Sequence, residues 1–297
     1  MQNQRLFKDR WARKIMMVLT VLSSLMVLVM AVCLFLRARP IIAKKPIMEL
    51  LFSCSWHPHR GEFGFLPFIV GSLWVTALAL IIAVPLCLLT AIYLSQYASS
   101  YVRELAKPLI DLLAGIPSVV YGVWGILVIV PLIKNHIAPL AGTVSTGYST
   151  LAGGMVLAIM VFPIIIHVVM EVFGTVPHEI KEASWALGAT KWQTVKHVVF
   201  RRSAPGIIAA VVLGVSRAFG ETMAVLMVAG NVARIPSSVF EPSYPLPALI
   251  ANNYGEMLSV PLYDSAIMLA GLLLLMVVLI FNILARIVLV RVERSIQ

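Results

Sequence analysis

Charge is the scarcest property of this 297-residue chain: Asp, Glu, Lys and Arg make up 12% of it, against about a quarter in an ordinary globular protein. Hydrophobic residues reach 60% and mean hydropathy is +0.96, which excludes a water-soluble domain of this length and points to lipid as the solvent. Cysteine is sparse too. Cys33, Cys54 and Cys87 show no metal spacing, and two lie in apolar runs and one in a loop, which argues against a disulfide framework and leaves them as packing residues. There is no G-x-x-x-x-G-K-[ST] loop, no dinucleotide fingerprint, no soluble stretch long enough for a catalytic domain, and no set of nucleophile, base and orienting group. Alternating polarity is absent, so nothing suggests a barrel, and no repeat or low-complexity tract stands out. Net charge of +10 invites a nucleic-acid partner. The basic residues, however, fall in short segments between apolar runs rather than on one polar face with aromatics, so none is expected.

In place of charge the chain has six long apolar runs. The first, 15–36, follows the basic residues Arg5, Lys8, Arg10, Arg13 and Lys14. At 1.5 Å per residue it reaches about 33 Å, enough to cross a bilayer. Arg37-Ala38-Arg39-Pro40 follows where a cleavage site would need small residues, so the run reads as an uncleaved span. Residues 37–66, with SWHPHRGEFG, read as an irregular surface loop. Further spans are expected at 67–97, 110–133, 150–173, 204–230 and 262–290. Pro85, Pro117, Pro131, Pro163 and Pro205, with many glycines, suit bent and closely packed helices lining a pathway better than a simple anchor. The expected fold class is an all-α integral membrane protein with six transmembrane helices. It divides into residues 1–66 (first span and external loop), a transmembrane domain at 67–290 and a tail at 291–297.

Six spans put both termini on one side. Of 23 Lys and Arg residues, fifteen lie in segments on the side of the termini, seven lie on the other, and Arg217 sits inside a span. The positive-inside bias therefore places both termini in the cytoplasm of a bacterial inner membrane.

The segment 175–203, TVPHEIKEASWALGATKWQTVKHVVFRRS, is too polar for a bilayer and falls on that cytoplasmic side. Pro177 suits a first helical turn, and Glu179 and Glu182 lie early, where the helix dipole favours anions. Gly188 breaks the run, and Thr190-Lys-Trp-Gln193 has the form of a capping box that starts a second helix through about Phe200. From the residues alone, a pair of helices receiving force from a partner and an amphipathic connector lying on the membrane remain open alternatives.

Glu182-Ala183-Ser184, three residues, Gly188, and then Val198 and Phe200 resemble the EAA loop of ABC importer permeases, E-A-A-x3-G-x9-I-x-L-P. Ser184 replaces the second alanine, and Arg201 stands where that pattern has proline. Residues 112–132 (LLAGIPSVVYGVWGILVIVPL), 162–192 and 216–231 (SRAFGETMAVLMVAGN) are similar to the PstC-type permeases of phosphate importers; PSVVYG and GETMAV set them apart from the related PstA type. The resemblance covers about residues 65–290. It implies a type I ABC importer permease fold (MetI-like), a PstA-like second permease, two ATP-binding subunits and an external phosphate-binding protein. It also implies a non-enzymatic subunit that moves inorganic phosphate, with the ATPase activity on a separate subunit. By the same resemblance Glu182, Ala183, Ser184 and Gly188 belong to coupling helices at about 178–200, and Arg217, Glu221 and Thr222 to the route of the solute.

A four-residue spacing places Arg217 and Glu221 on one helix face, within reach of each other. They read either as a structural ion pair or as an arginine that meets an oxyanion while the glutamate holds it or closes the path. Sulfate, molybdate or phosphonate would satisfy the same physics, as would a PstA-like role. A membrane scaffold or intramembrane enzyme needs neither feature, and a secondary transporter usually has more spans and inverted repeats. Cys54, His57 and His59 do not have a zinc spacing, and no metal or cofactor is expected. His167 and Glu171, four residues apart, read first as interfacial packing and second as a gate or proton relay.

Overall fold

The computed structural model describes the backbone of residues 2–256 and 259–296 and the side chains of 11–256 and 259–291; Arg5, Lys8, Arg10 and much of the expected tail lie outside the described side chains. Its elements are numbered in chain order. They are α1 (Gln2–Lys44), α2 (Ile47–Phe52), β1 (Trp56–His57), β2 (Glu62–Phe63), α3 (Leu66–Tyr97), α4 (Ser100–Gly115), α5 (Ser118–Leu140), α6 (Thr150–Gly174), α7 (His178–Ala186), α8 (Lys191–Gly220), α9 (Met223–Val228), α10 (Leu246–Asn253) and α11 (Tyr263–Ile296). Among the described residues six helices are long and apolar enough to cross a membrane: α1, α3, α5, α6, α8 and α11.

Several boundaries differ from the sequence expectation, each for a physical reason. The first helix does not stop at residue 36 but runs to Lys44, because Ala38 and Ile41 are fully buried against the rest of the bundle and carry the helix past Arg37 and Arg39. The loop 37–66 is correspondingly short and ordered: β1 and β2 pair antiparallel, with Trp56 opposite Phe63, and Trp56 packs edge-on against Phe63, Phe65 and Phe68. The run 110–133 is two helices. Ile116 is extended (ψ 128°) because it precedes Pro117, so α4 ends at Gly115 and α5 starts at Ser118. At the other end α11 carries the helix to Ile296, so most of the expected tail is helix.

The core lies where α3 and α6 pack along their length, with α8 laid across both. Small residues permit this approach: a Cβ on Gly154 would stand 2.8 Å from the Leu78 side chain. Pro85, Pro163 and Pro205 all sit inside these helices. Opposite the end that carries α7, the segment after α9 folds back into the bundle, and its backbone groups have identifiable partners. The N-terminal amides of α6 donate to it, Thr150 N to Glu241 O (2.8 Å) and Leu151 N to Val239 O (2.9 Å). Buried Ser72 accepts from Leu246 N at 2.8 Å and donates to Phe68 O at 2.9 Å. The helix α1 packs mainly on α11, outside the α3–α6–α8 core.

Candidate functional site: a coupling turn and a broken helix

Two sites emerge from the chain. The first is the turn between α7 and α8. Pro177 stands just before α7 rather than within it, and Glu179 occupies the first turn, where its charge complements the helix dipole. Gly188 has φ +84°, a left-handed conformation that costs a side-chain-bearing residue strain, while nothing lies within 4 Å of the space a Cβ would fill. Thr190 and Gln193 form both halves of the capping box: Thr190 N donates to Gln193 Oε1 (2.8 Å) and Gln193 N to Thr190 Oγ1 (3.3 Å). The second helix does not stop at Phe200. It passes through a π-turn at Val195–Val199 and continues as the spanning helix to Gly220, so the turn is rigidly joined to the membrane segment.

Ser184 and Thr194 share a hydrogen bond of 2.9 Å that clips α7 to α8. Glu182 lies 2.9 Å from His178 one turn earlier. Glu182, Ala183 and Gly188 are all exposed, as are Trp185, Trp192 and Leu187, the last 89% exposed. The turn's capping groups bond to one another and its apolar side chains are left uncovered.

The second site is the end of α8. The helix stops at Gly220; Glu221 is extended (ψ 127°), and α9 restarts at Met223. The expected ion pair is therefore not formed. Glu221 has left the helical face that Arg217 occupies, and its Oε1 accepts instead from Thr222 N (3.1 Å) and Ala224 N (3.4 Å), the free amides at the start of α9. Thr222 Oγ1 donates to Gly220 O (3.3 Å), which secures the break. Glu221 also borders a small cleft with Ser72, Thr76 and Phe219.

Arg217 is exposed and, among the described residues, makes no hydrogen bond or ion pair. Its neighbour Ser216 donates to Asn282 Oδ1 (3.0 Å), fastening α8 to α11 at that level. Asn282 was not singled out in the sequence, although one amide in the run LLLLMVVLIFNIL is the kind of signal that marks an interhelical contact. Elsewhere, His167 Nε2 stands 3.5 Å from Glu171, and His167 Nδ1 is 4.0 Å from Asp111 on α4. Cys54 is free, and no group of three or more metal-ligating side chains occurs among the described residues.

Six helices long and apolar enough to cross a membrane, with a helix pair at one end and a broken helix carrying an exposed arginine, define a polytopic membrane protein. The chain belongs to the family described as "Binding-protein-dependent transport system inner membrane component", whose profile matches residues 83–297. It is 38% identical to the phosphate transport system permease protein PstC of Xylella fastidiosa (strain 9a5c), over 84% of this chain and 80% of that one. It is 31% identical to PstC of Haemophilus influenzae over 99% of this chain and 98% of that one, so the likeness extends through α1. Among solved structures, it superposes on a chain of a bacterial ABC transporter for the acidic polysaccharide alginate with a TM-score of 0.62 at 15% identity, covering 97% of this chain and 99% of that one. The fold is that of a type I ABC importer permease, a multi-pass membrane component whose relatives are transport permease subunits.

Proposed function

We propose that this chain is the permease subunit through which inorganic phosphate enters the cytoplasm, driven by ATP hydrolysis on separate subunits. The observation that carries the reading is Arg217, exposed and, among the described residues, without a partner between apolar segments of a candidate spanning helix. A charge inside a bilayer is costly, up to about 2.5–3.5 kcal/mol at its centre on insertion scales, which favours a face covered by protein or solute over a lipid face. A second, PstA-like permease covers it, and the solute route runs between the two. There the planar guanidinium can give parallel hydrogen bonds to one oxyanion. Glu221 holds the helix break open at that level, and Thr222 lies on the same route. The 38% identity to a phosphate permease selects phosphate among oxyanions of similar chemistry.

Glu182, Ala183, Ser184 and Gly188 form the tip that docks on an ATP-binding subunit, one of two in the assembly. A phosphate-binding protein delivers the solute on the opposite face, against the transmembrane domain at 67–290. ATP binding closes the ATPases and pulls the tip. Because α8 is continuous from the tip to Gly220, the pull reaches Arg217 through one helix. Hydrolysis resets the path. Both termini lie in the cytoplasm, in keeping with the excess of basic residues on that side.

The test is uptake of labelled phosphate and labelled sulfate by a strain deleted for its own phosphate permease and carrying this gene. Phosphate uptake without sulfate uptake is expected. Sulfate uptake alone reassigns the solute, and uptake of neither removes the transport reading. A single cysteine placed in 178–200 is expected to react only from the cytoplasm, and one in 135–148 only from outside.

A further inference from the structure

Beside the turn between α7 and α8 lies a groove of about 690 Å³ whose lining includes Trp185 and Thr194 of that helix pair but not Arg217. It is bounded by the end of α3, the inner face of α4, the end of α6 and the α7–α8 pair. Its lining carries charges of both signs. The carboxylates Asp111 and Glu171 both flank His167, at 4.0 and 3.5 Å, and so gather at one end. The groove is also lined by Arg103, Lys107, Lys181 and Lys191, Lys107 one helical turn before Asp111 on α4, and among the described residues none of these four makes an ion pair.

Two of these cations, Arg103 and Lys191, are held in place by something other than an acid. Arg103 donates from Nε to Leu94 O (3.0 Å) and from Nη2 to Ser95 O (3.2 Å), carbonyls in the π-turn that ends α3. Lys191 Nζ stands 4.8 Å over the ring of Tyr97. Lys181 has its pKa lowered, first by burial and then by the nearby Arg103 charge. Four cations from α4, α7 and α8 line this one groove against two carboxylates, and the fold tolerates that excess of like charge best when an anion sits among them. The groove also lies at the level where the spanning helices end, and α4 presents exposed Tyr101, Leu105 and Leu112 beside it, an apolar edge suited to the membrane surface.

The geometry points to a binding site for a phosphate group in this groove, held by Lys107 and Lys181 with Arg103 and Lys191 at its rim, and separate from the transport route. Two sources supply that chemistry on the cytoplasmic face: free inorganic phosphate and the headgroup of an anionic phospholipid. Either would tie α4 to α7, so occupancy would restrain the helix that the ATPase moves.

The experiment uses the full chain in its assembled complex, carrying Arg217→Gln so that the transport route contributes no phosphate binding. In nanodiscs of phosphatidylcholine alone, inorganic phosphate is titrated calorimetrically. In a second arm, native mass spectrometry measures retention of phosphatidylglycerol from mixed phosphatidylglycerol–phosphatidylcholine discs. Binding in one arm is expected to weaken by about tenfold or more in Lys107→Ala/Lys181→Ala, the loss of charge-assisted contacts, and to recover in Lys107→Arg/Lys181→Arg. Phosphate binding with that pattern assigns the free anion, and phosphatidylglycerol retention with that pattern assigns the lipid. Where the double alanine variant does not assemble, Lys107→Gln and Lys181→Gln singly give the same reading. Binding in neither arm, or binding indifferent to these lysines, overturns the proposal while leaving the uptake assay, and the transport reading, unaffected.

Discussion

The turn at 187–190 and the break at 220–222 both interrupt a helix and restart it with an acceptor side chain capping the new N-terminus, yet they leave opposite things uncovered. At the turn, Thr190 and Gln193 satisfy each other's backbone and Ser184 binds Thr194, so the polar groups are settled and Leu187, Trp185 and Trp192 stand bare. At the break, Glu221 and Thr222 settle the backbone, and what stands bare is a cation, Arg217. In water an exposed leucine tip calls for an apolar groove on a partner. In a membrane element an exposed arginine calls for a polar route or a second subunit. Under the proposed function, the same local device would serve docking at one end of α8 and solute passage at the other.

Removing the bare cation breaks this comparison most severely. Arg217→Gln is expected to leave an assembled, ATPase-associated complex whose phosphate uptake falls about tenfold or more, since a hydrogen bond to a charged group contributes roughly 1.5–3 kcal/mol. Because Glu221 bonds to backbone and not to Arg217, adding Glu221→Gln is not expected to restore uptake. Restored uptake in the double variant, measured with labelled phosphate, would remove Arg217 from the route.

Gly188→Val comes next. Its left-handed φ of +84° penalises a side-chain-bearing residue by roughly 1–2 kcal/mol, and the empty surroundings confine the effect to the turn. Membrane insertion is expected to survive while ATP hydrolysis proceeds with several-fold less transport per ATP; the two rates measured together in proteoliposomes decide it. Glu182→Lys, at the same tip, is expected to act in the same direction. Unchanged coupling in both variants would leave α7 as a mere surface connector.

The caps sharpen the comparison with smaller effects. Thr190→Ala and Glu221→Ala each remove one capping side chain and are expected to cost about 0.5–2 kcal/mol of stability, seen as a lower Tm of the detergent-solubilised chain. Glu221→Gln, which keeps an acceptor, is expected to lose less than Glu221→Ala.

The smallest effect lies outside the membrane, at Glu241. Hydrogen bonds from Ser237 N (2.9 Å) and Ser237 Oγ (3.0 Å), with Arg234 beyond, hold its carboxyl below the usual glutamate range. A depressed folded-state pKa contributes stability above the unfolded pKa and loses it as pH falls through the folded value. The Tm difference between the parent chain and Glu241→Gln is therefore expected to be constant at neutral pH and to vanish in acid.

Reading the chain in order located the turn between α7 and α8 almost to the residue. Its signals are local: a glycine that must turn, a threonine and glutamine three apart, and a glutamate in a first helical turn. The break at Gly220 was not legible in that way. The run 204–230 is apolar throughout apart from RAFGET, and hydropathy cannot tell a helix that continues from one that stops and restarts. The same blindness merged α4 with α5 across Pro117, which composition placed in the middle of a span.

The sequence by itself determined the solvent, the number of spans and the turn between α7 and α8, because each follows from composition or from contacts within one turn of helix; the family followed from the likeness of longer motifs. Only the tertiary structure decided that Arg217 and Glu221 part company. Four residues apart on a continuous helix they would have paired. Instead the free amides of α9 claimed the carboxylate, a backbone requirement set by where the helix breaks, and the arginine was left for something outside the chain.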